Sequence, residues 1–188
     1  LLNPDASEID RLTGYLPKSE FLKVFSDYSK GIGTLDVMQE QLVSDPVNFK
    51  LKLDISAKLA ERGEGLRAQE LQAEIIEADP LNASGLADNA AAQLAISEFR
   101  SSHSVDPLNK VLQKWPGLDD GPQIYNILIS VASRDGDNEK RRRLLDQSVK
   151  DFPDDISLLN SWAWIATESE WDLDLALKYA RRAVKLSD

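Results

Sequence analysis

Apolar side chains recur every three or four residues from about residue 47 to the C-terminus. Leu51, Ile55 and Leu59 are four residues apart, and Gly63 follows where such a helix would stop. The spacing returns along this part of the chain and predicts eight helices between residue 47 and the C-terminus. The other seven are marked by these apolar positions: Leu66, Leu71 and Ile75; Leu86, Ala90 and Leu94; Leu108, Val111 and Trp115; Ile124, Leu128 and Val131; Leu144, Leu145 and Val149; Leu159, Trp162 and Ala166; Leu173, Leu177 and Val184.

Prolines divide these helices into repeating units. Pro46, Pro80, Pro116 and Pro153 are 34, 36 and 37 residues apart. A period near 34 residues is typical of stacked helical hairpins, each built from two antiparallel helices. The eight helices therefore pair into four hairpins, and no strand is predicted between them.

The hairpins resemble tetratricopeptide repeats, in which large and small residues alternate so that paired helices approach closely. Gly63 stands at the turn of the first repeat, and Pro80 ends it. Other matching positions are Ala68 in the first repeat and Leu159, Trp162, Ala163, Ala176, Ala180 and Ala183 in the last. In the third repeat Arg141 stands where a small residue is expected. The resemblance covers residues 46–188 and implies an all-α, right-handed α-solenoid of about four such hairpins.

The first thirty residues follow another pattern. A turn sequence at 3–7 precedes a predicted strand, Glu8 to Tyr15, and a predicted helix runs from Pro17 to Lys30. This strand–turn–strand–helix order resembles the C-terminal end of a thioredoxin-like domain that lacks its Cys-x-x-Cys part. The resemblance implies two domains, a remnant over 1–33 and the repeat domain over 46–188.

The N-terminal helix needs a surface for its aromatic side chains, Phe21, Phe25 and Tyr28. We expect it to dock on the first hairpin, near Ile55, and to cap the repeat domain. Two short strands are not stable by themselves in water, so we expect them to be distorted or paired with another copy of the chain.

Composition narrows the functional classes. The chain carries 22 basic and 32 acidic side chains, and its net charge of −10 argues against nucleic acid as a partner. No apolar run reaches the ~20 residues of a membrane span, so membrane insertion is not expected. A start at Leu1 instead of Met suggests a fragment or a processed product. The compartment stays open, with bacterial periplasm and cytoplasm both compatible.

Candidate catalytic and metal-binding residues are few. The chain has no Cys and one histidine, His103, which lies in a polar loop. Without Cys this chain has no thiolate for thiol–disulfide exchange, and a zinc site is not expected. Adjacent carboxylates such as Asp119-Asp120 lie in predicted turns, where helix capping and solubility explain them. We predict no catalytic residue, metal or cofactor, and Arg141-Arg142-Arg143 is the one candidate anion-binding run.

A helical repeat binds partners on the concave face formed by the first helix of each hairpin. Trp115 and Trp162 lie on predicted core stripes, whereas Trp164 points about 200° away from Trp162 around the helix. That direction leaves two alternatives for Trp164, the concave face or the core against a neighbouring helix. The side chains predicted for this face are Leu53, Ala57, Ala60, Ala87, Ala91, Asn126, Ser130, Arg134, Asn160, Trp164 and Glu168.

The resulting hypothesis is a non-enzymatic module that binds a protein or peptide beside a thioredoxin-like domain. The alternative is an accessory half of a thiol–disulfide oxidoreductase or redox chaperone, with a catalytic Cys-x-x-Cys upstream of this chain. Partner identity and oligomeric state do not follow from the sequence.

Overall fold

The computed structural model describes residues 1–6 and 8–187, and it is all-α. The four predicted helix pairs are confirmed, and two further helices precede them. The chain divides into two compact units, Leu1–Ala90 and Ala91–Asp188. The helices of the described residues are α1 Lys18–Ser29, α2 Leu35–Ser44, α3 Phe49–Glu61, α4 Gly65–Ala78, α5 Ala87–Ser102, α6 Asp106–Lys114, α7 Gly121–Arg134, α8 Asn138–Asp151, α9 Ile156–Glu168 and α10 Leu173–Ser187.

The first helix of each pair ends at a residue in the left-handed region. That residue is Gly31, Gly63 or Gly136 after α1, α3 and α7, but Glu170 after α9. In these four turns the next N–H donates to a carbonyl five residues back at 2.9–3.0 Å, which satisfies the end of the helix. After α5 the left-handed residue is His103, with a φ of 59°.

The second helix of a pair ends at a residue that precedes proline. Asp45, Asp79, Trp115 and Phe152 cap α2, α4, α6 and α8 with φ between −138° and −126°. Steric conflict with the proline ring disfavours helical geometry at the preceding residue, so each helix stops there. The carbonyl of each residue then accepts a hydrogen bond from the N–H three residues on, at 3.0–3.4 Å. The repeated prolines are therefore the second residues of four equivalent turns.

α2 was absent from the sequence-based expectation, and it takes the role assigned to α1. Leu35 and Met38 of α2 are buried in a cluster with Ile55 and Leu59 of α3. In α1 no residue is fully buried, and Phe21 is 46% exposed. The expectation that α1 caps the first hairpin is thus wrong, because α2 already covers that surface.

The predicted strand from Glu8 to Tyr15 is also wrong. In the described N-terminal residues only Leu2 and Glu8 form an isolated antiparallel bridge. Asp10 turns inward and is 1% exposed, so the segment follows a buried polar contact instead of a sheet. The boundary between residues 1–33 and 46–188 stays a prediction.

Small residues allow the helices of each unit to pack closely. In the N-terminal unit Ala87 and Ala90 lie against Leu53 and Ile75. In the C-terminal unit the largest side chain of the core is Trp162, which is 1% exposed. Around it are Leu158, Leu159, Ala163, Ala166, Ala176 and Ala183, from α9 and α10.

Candidate partner-binding faces

One groove of the C-terminal unit runs along α7, and we call it the α7 groove. Asn126, Ser130 and Arg134 are four residues apart and line a cavity of about 670 Å³. Pro122 fits the first turn of α7, where its missing N–H would lack a partner anyway. Apolar and capping residues complete the lining, chiefly Phe99, Ile127, Val131 and Asp155.

Polar contacts fix parts of the α7 groove. The Nδ2 of Asn126 donates to the Oγ of Ser157 at 2.9 Å. Asp155 caps α9 by accepting from the N–H of Leu158 at 2.8 Å. Arg134 pairs with the neighbouring Asp135 at 3.2 Å, and both side chains are more than half exposed. Because an exposed pair is worth little, the Arg134 guanidinium can exchange Asp135 for a ligand carboxylate at low cost.

A second cavity of about 700 Å³ lies beside α9 and includes Ala180 of α10. Asn160, Trp164 and Glu168 line it, and the Trp164 side chain is 69% exposed. The prediction that Trp162 is core is confirmed by its burial. For Trp164, whose placement in the groove or in the core was left open, the exposure excludes the core. The lining is mostly apolar because Ala163 and Ile165 also contribute to it.

The predicted face does not extend as expected through the other hairpins. Leu53, Ala87 and Ala91 are 6%, 0% and 6% exposed, so they lie in the core and cannot contact a partner. Small side chains there let helices approach, which removes the surface that was expected. Ala57 and Ala60 of α3 are exposed, and Ala57 lines a smaller cavity of about 430 Å³.

A buried polar cluster in the N-terminal unit was not predicted. The Oδ2 of Asp10 accepts from the Lys58 Nζ and from the Leu35 N–H, both at 2.9 Å. Lys58 also donates to the Tyr28 hydroxyl at 2.8 Å. The cluster therefore joins the N-terminal segment, α1, α2 and α3. Its two charged members, Asp10 and Lys58, are 48 residues apart in sequence, and no local pattern around Asp10 predicts their contact.

Electrostatics holds both members of this pair ionised. Burial opposes the charge on Asp10, but hydrogen bonds from Lys58, the Arg11 N–H and the Leu35 N–H outweigh it and lower the pKa of Asp10. Burial also opposes the charge on Lys58, and hydrogen bonds with Tyr28 and Asp10 raise its pKa. Arg62 approaches the other carboxylate oxygen of Asp10 at 3.4 Å.

The three consecutive arginines of α8 already have partners. Arg141 donates to the hydroxyls of Ser133 at 3.3 Å and Ser169 at 3.1 Å. A small residue was expected at Arg141. Its long side chain is accommodated because it extends along the hairpin, with its guanidinium 5.7 Å from the Trp171 ring centroid. Arg142 lies over the same ring at 5.2 Å, and Arg143 is 3.5 Å from a carboxylate of Glu139. An anion-binding role for this run gains no support.

His103 has a backbone role in the turn after α5. Its left-handed φ is one that histidine adopts more readily than most residues. Its ring meets Phe99 edge to face with 6.4 Å between centroids. In the described part of the chain no three His, Asp or Glu side chains gather as a metal site would require, and no helix is long and apolar enough to cross a bilayer.

Comparison with known proteins identifies a fold. No family model matches the chain, and no curated protein matches it. A crystal structure of MamA aligns with a TM-score of 0.54 and 16% identity over 93% of this chain and 96% of that one. A structure of MamA from Desulfovibrio magneticus RS-1, from residue 41 to the end, gives 0.53 and 15% over 90% of each chain. These likenesses, together with the ten helices of the described residues, establish an all-α fold of tetratricopeptide-like helical repeats.

Proposed function

We propose that this chain is a protein-interaction module that holds an extended segment of a partner protein in the α7 groove. The observation that carries the proposal is the row of Asn126, Ser130 and Arg134, which lines one cavity together with the apolar side chains of Ile127 and Val131. Amide, hydroxyl and guanidinium groups can hydrogen-bond a peptide backbone, while the apolar part of the lining can contact a side chain. We propose the exposed residues of α9, Asn160, Trp164 and Glu168, as a second contact region.

A peptide selection tests this function. Random peptides displayed on phage would be selected on the immobilised protein. The affinity of the selected peptides would then be measured for the parent protein and for a variant carrying Asn126→Ala and Arg134→Ala. We expect roughly tenfold weaker binding to the variant, which corresponds to about 1.4 kcal/mol. The matched control is Arg143→Ala, which removes an exposed arginine from α8. Equal binding to all three proteins would show that the α7 groove is not the site.

The alternative function, an accessory half of a thiol–disulfide oxidoreductase, rests on the resemblance of residues 1–33, of which the helix α1 is formed but the predicted strand is not. Its test is the sequence encoded upstream. A Cys-x-x-Cys pair there would favour the enzyme, and a different upstream domain would favour an adaptor.

A further inference from the structure

Helix α10 presents a row of apolar side chains on the surface of the C-terminal unit. Leu173, Leu177 and Val184 are 55%, 50% and 63% exposed, and Ala180 lies between them in the same row. Their spacing of four, three and four residues puts them on one side of the helix. Across the 700 Å³ cavity stands Trp164 of α9. We call these five side chains the end face.

The preceding hairpin shows what such a row does. Asp137 and Asp172 cap α8 and α10 in the same way, each accepting from the N–H three residues on, so positions 35 residues apart correspond. Leu145 and Val149 of α8 then match Ala180 and Val184 of α10.

The α8 residues are buried, whereas their α10 counterparts are more exposed. Leu145 and Val149 are 0% and 7% exposed, and they share one apolar cluster with Leu158, Leu159 and Trp162 of α9. These two positions of α8 therefore pack against the next helix. On α10 Ala180 is only partly buried and Val184 is 63% exposed, and the row continues through Leu173 and Leu177 where α8 has Asn138 and Arg142.

Charge beside the end face indicates the kind of helix that would fit. On α8 the carboxylate of Asp146 accepts from the indole N–H of Trp162 at 2.8 Å, across the interface with α9. The corresponding residue of α10 is Arg181. Arg181, Lys178 and Lys185 are exposed and form no salt bridge among the described residues. Asp174 lies four residues before Lys178 on the same side of α10, so the cations of this edge outnumber its carboxylate three to one. A basic edge on a chain of net charge −10 favours a partner that brings carboxylates of its own.

We propose that the end face binds an acidic amphipathic helix of a partner protein. This helix packs on α9 and α10 in the way that α9 packs on α8. Its apolar residues, spaced three and four apart, pack on Leu177, Val184 and Trp164. Its Glu or Asp side chains lie along the edge formed by Lys178, Arg181 and Lys185. This site is distinct from the α7 groove and takes a helix where that groove takes an extended segment.

The test uses a dye-labelled synthetic peptide of about 18 residues, with leucines at helical spacing and glutamates beside them. A second peptide replaces every glutamate with lysine. Fluorescence anisotropy should show roughly tenfold tighter binding of the glutamate peptide. That preference should shrink between low and high salt, because exposed charge interactions are screened.

Two variants locate the binding. Leu177→Asp with Val184→Asp should weaken binding of the glutamate peptide roughly tenfold. Arg181→Glu with Lys185→Glu should reverse the preference between the two peptides, and it leaves the apolar row untouched. Leu66→Asp, at a 78% exposed leucine of α4, is the control and should change nothing. Unchanged circular dichroism spectra would show that the variants fold.

Three results would overturn the proposal. One is binding of neither peptide, and another is equal binding of both. The third is self-association in sedimentation that the Leu177→Asp, Val184→Asp variant abolishes, which would assign the end face to a second copy of the chain.

Discussion

Trp162 and Trp164 are two residues apart, yet their environments are opposite. The Trp162 ring is buried, meets Tyr179 edge to face at 5.0 Å and donates its N–H to Asp146. Trp164 extends from the other side of α9 and is 69% exposed. Position around the helix therefore decides which indole stabilises the core.

We predict that Trp162→Ala lowers the free energy of unfolding by about 3–5 kcal/mol, as expected for a large core side chain. Trp164→Ala should change it by less than about 0.5 kcal/mol, because an exposed ring loses few contacts. Urea denaturation followed by circular dichroism measures both. Equal losses would mean that both rings support the core.

Glu170 occupies a left-handed position that glycine holds after α1, α3 and α7. Its φ of 51° is a conformation in which a side chain is strained, while Gly63 and Gly136 occupy the same turn without strain. We predict that Glu170→Gly raises the free energy of unfolding by about 1 kcal/mol. The comparison variant, Gly136→Ala, should lower it. A Glu170→Gly protein less stable than the parent in urea would contradict this account.

Element by element, the helices with apolar periodicity were predictable because local turn chemistry sets their ends. α2 carries the same signals, with Leu35, Met38 and Leu42 on one side and Asp45-Pro46 at its end. Pro46 was interpreted as the start of a repeat, although it belongs to the turn that closes one. That interpretation left α2 unassigned.

The first residue of α7, Gly121, packs tightly against the Phe152 ring at the end of α8. A Cβ on Gly121 would lie 2.2 Å from the Cζ of Phe152, whose ring also packs against Tyr125. We predict that Gly121→Ala lowers the free energy of unfolding by about 1–3 kcal/mol, because the ring must move. The matched control is Gly65→Ala at the start of α4, where no atom lies within 4 Å.

The control variant, Gly65→Ala, should leave the free energy of unfolding unchanged or raise it slightly, since alanine favours helices. Thermal and urea unfolding of the two variants would test the difference. If both variants were equally stable, Phe152 would have to move aside without loss.

At the scale of the whole molecule, a contact between distant residues joins the N-terminal segment to the repeats. The Asp10 carboxylate binds Lys58 and also the first N–H of α2, a position that the side chain of Thr34 leaves uncapped. The described N-terminal residues are thus tied to the fold by polar contacts and not by strand pairing. Asp10 makes the most buried of them, Arg11 donates to the Glu61 carbonyl at 3.0 Å, and Arg62 pairs with Glu8 at 3.4 Å.

This contact predicts a pH dependence. The pKa of Asp10 is lowered by folding, so its contribution is full above its ordinary value of 3.8 and is lost as pH falls through the lower folded value. Asp10→Asn should cost about 2 kcal/mol at pH 7, in the range of hydrogen bonds to charged groups. The difference between variant and parent should narrow in urea titrations below pH 3.8.

Asp54→Asn is the control, because Asp54 pairs with Lys50 on the surface. It should change stability by less than about 0.5 kcal/mol at either pH. A constant difference between Asp10→Asn and the parent at all pH values would contradict the ionic role of Asp10.

The separation in sequence between contacting residues explains which parts of the site were predictable. Asn126, Ser130 and Arg134 were placed together from spacing within one helix, and they line one cavity. Leu53, Ala87 and Ala91 were misplaced because their burial depends on which helix packs over them. The Asp10–Lys58 pair depends on folding across 48 residues, which periodicity does not encode.

The matching turns have a kinetic consequence. Every first helix stops at a left-handed residue, and α2, α4, α6 and α8 stop before a proline, so most contacts join residues close in sequence. Proteins dominated by such short-range contacts reach the native state in microseconds to milliseconds. The fast phase of stopped-flow refolding should therefore be nearly complete within the dead time of the instrument, and hydrogen exchange should proceed hairpin by hairpin.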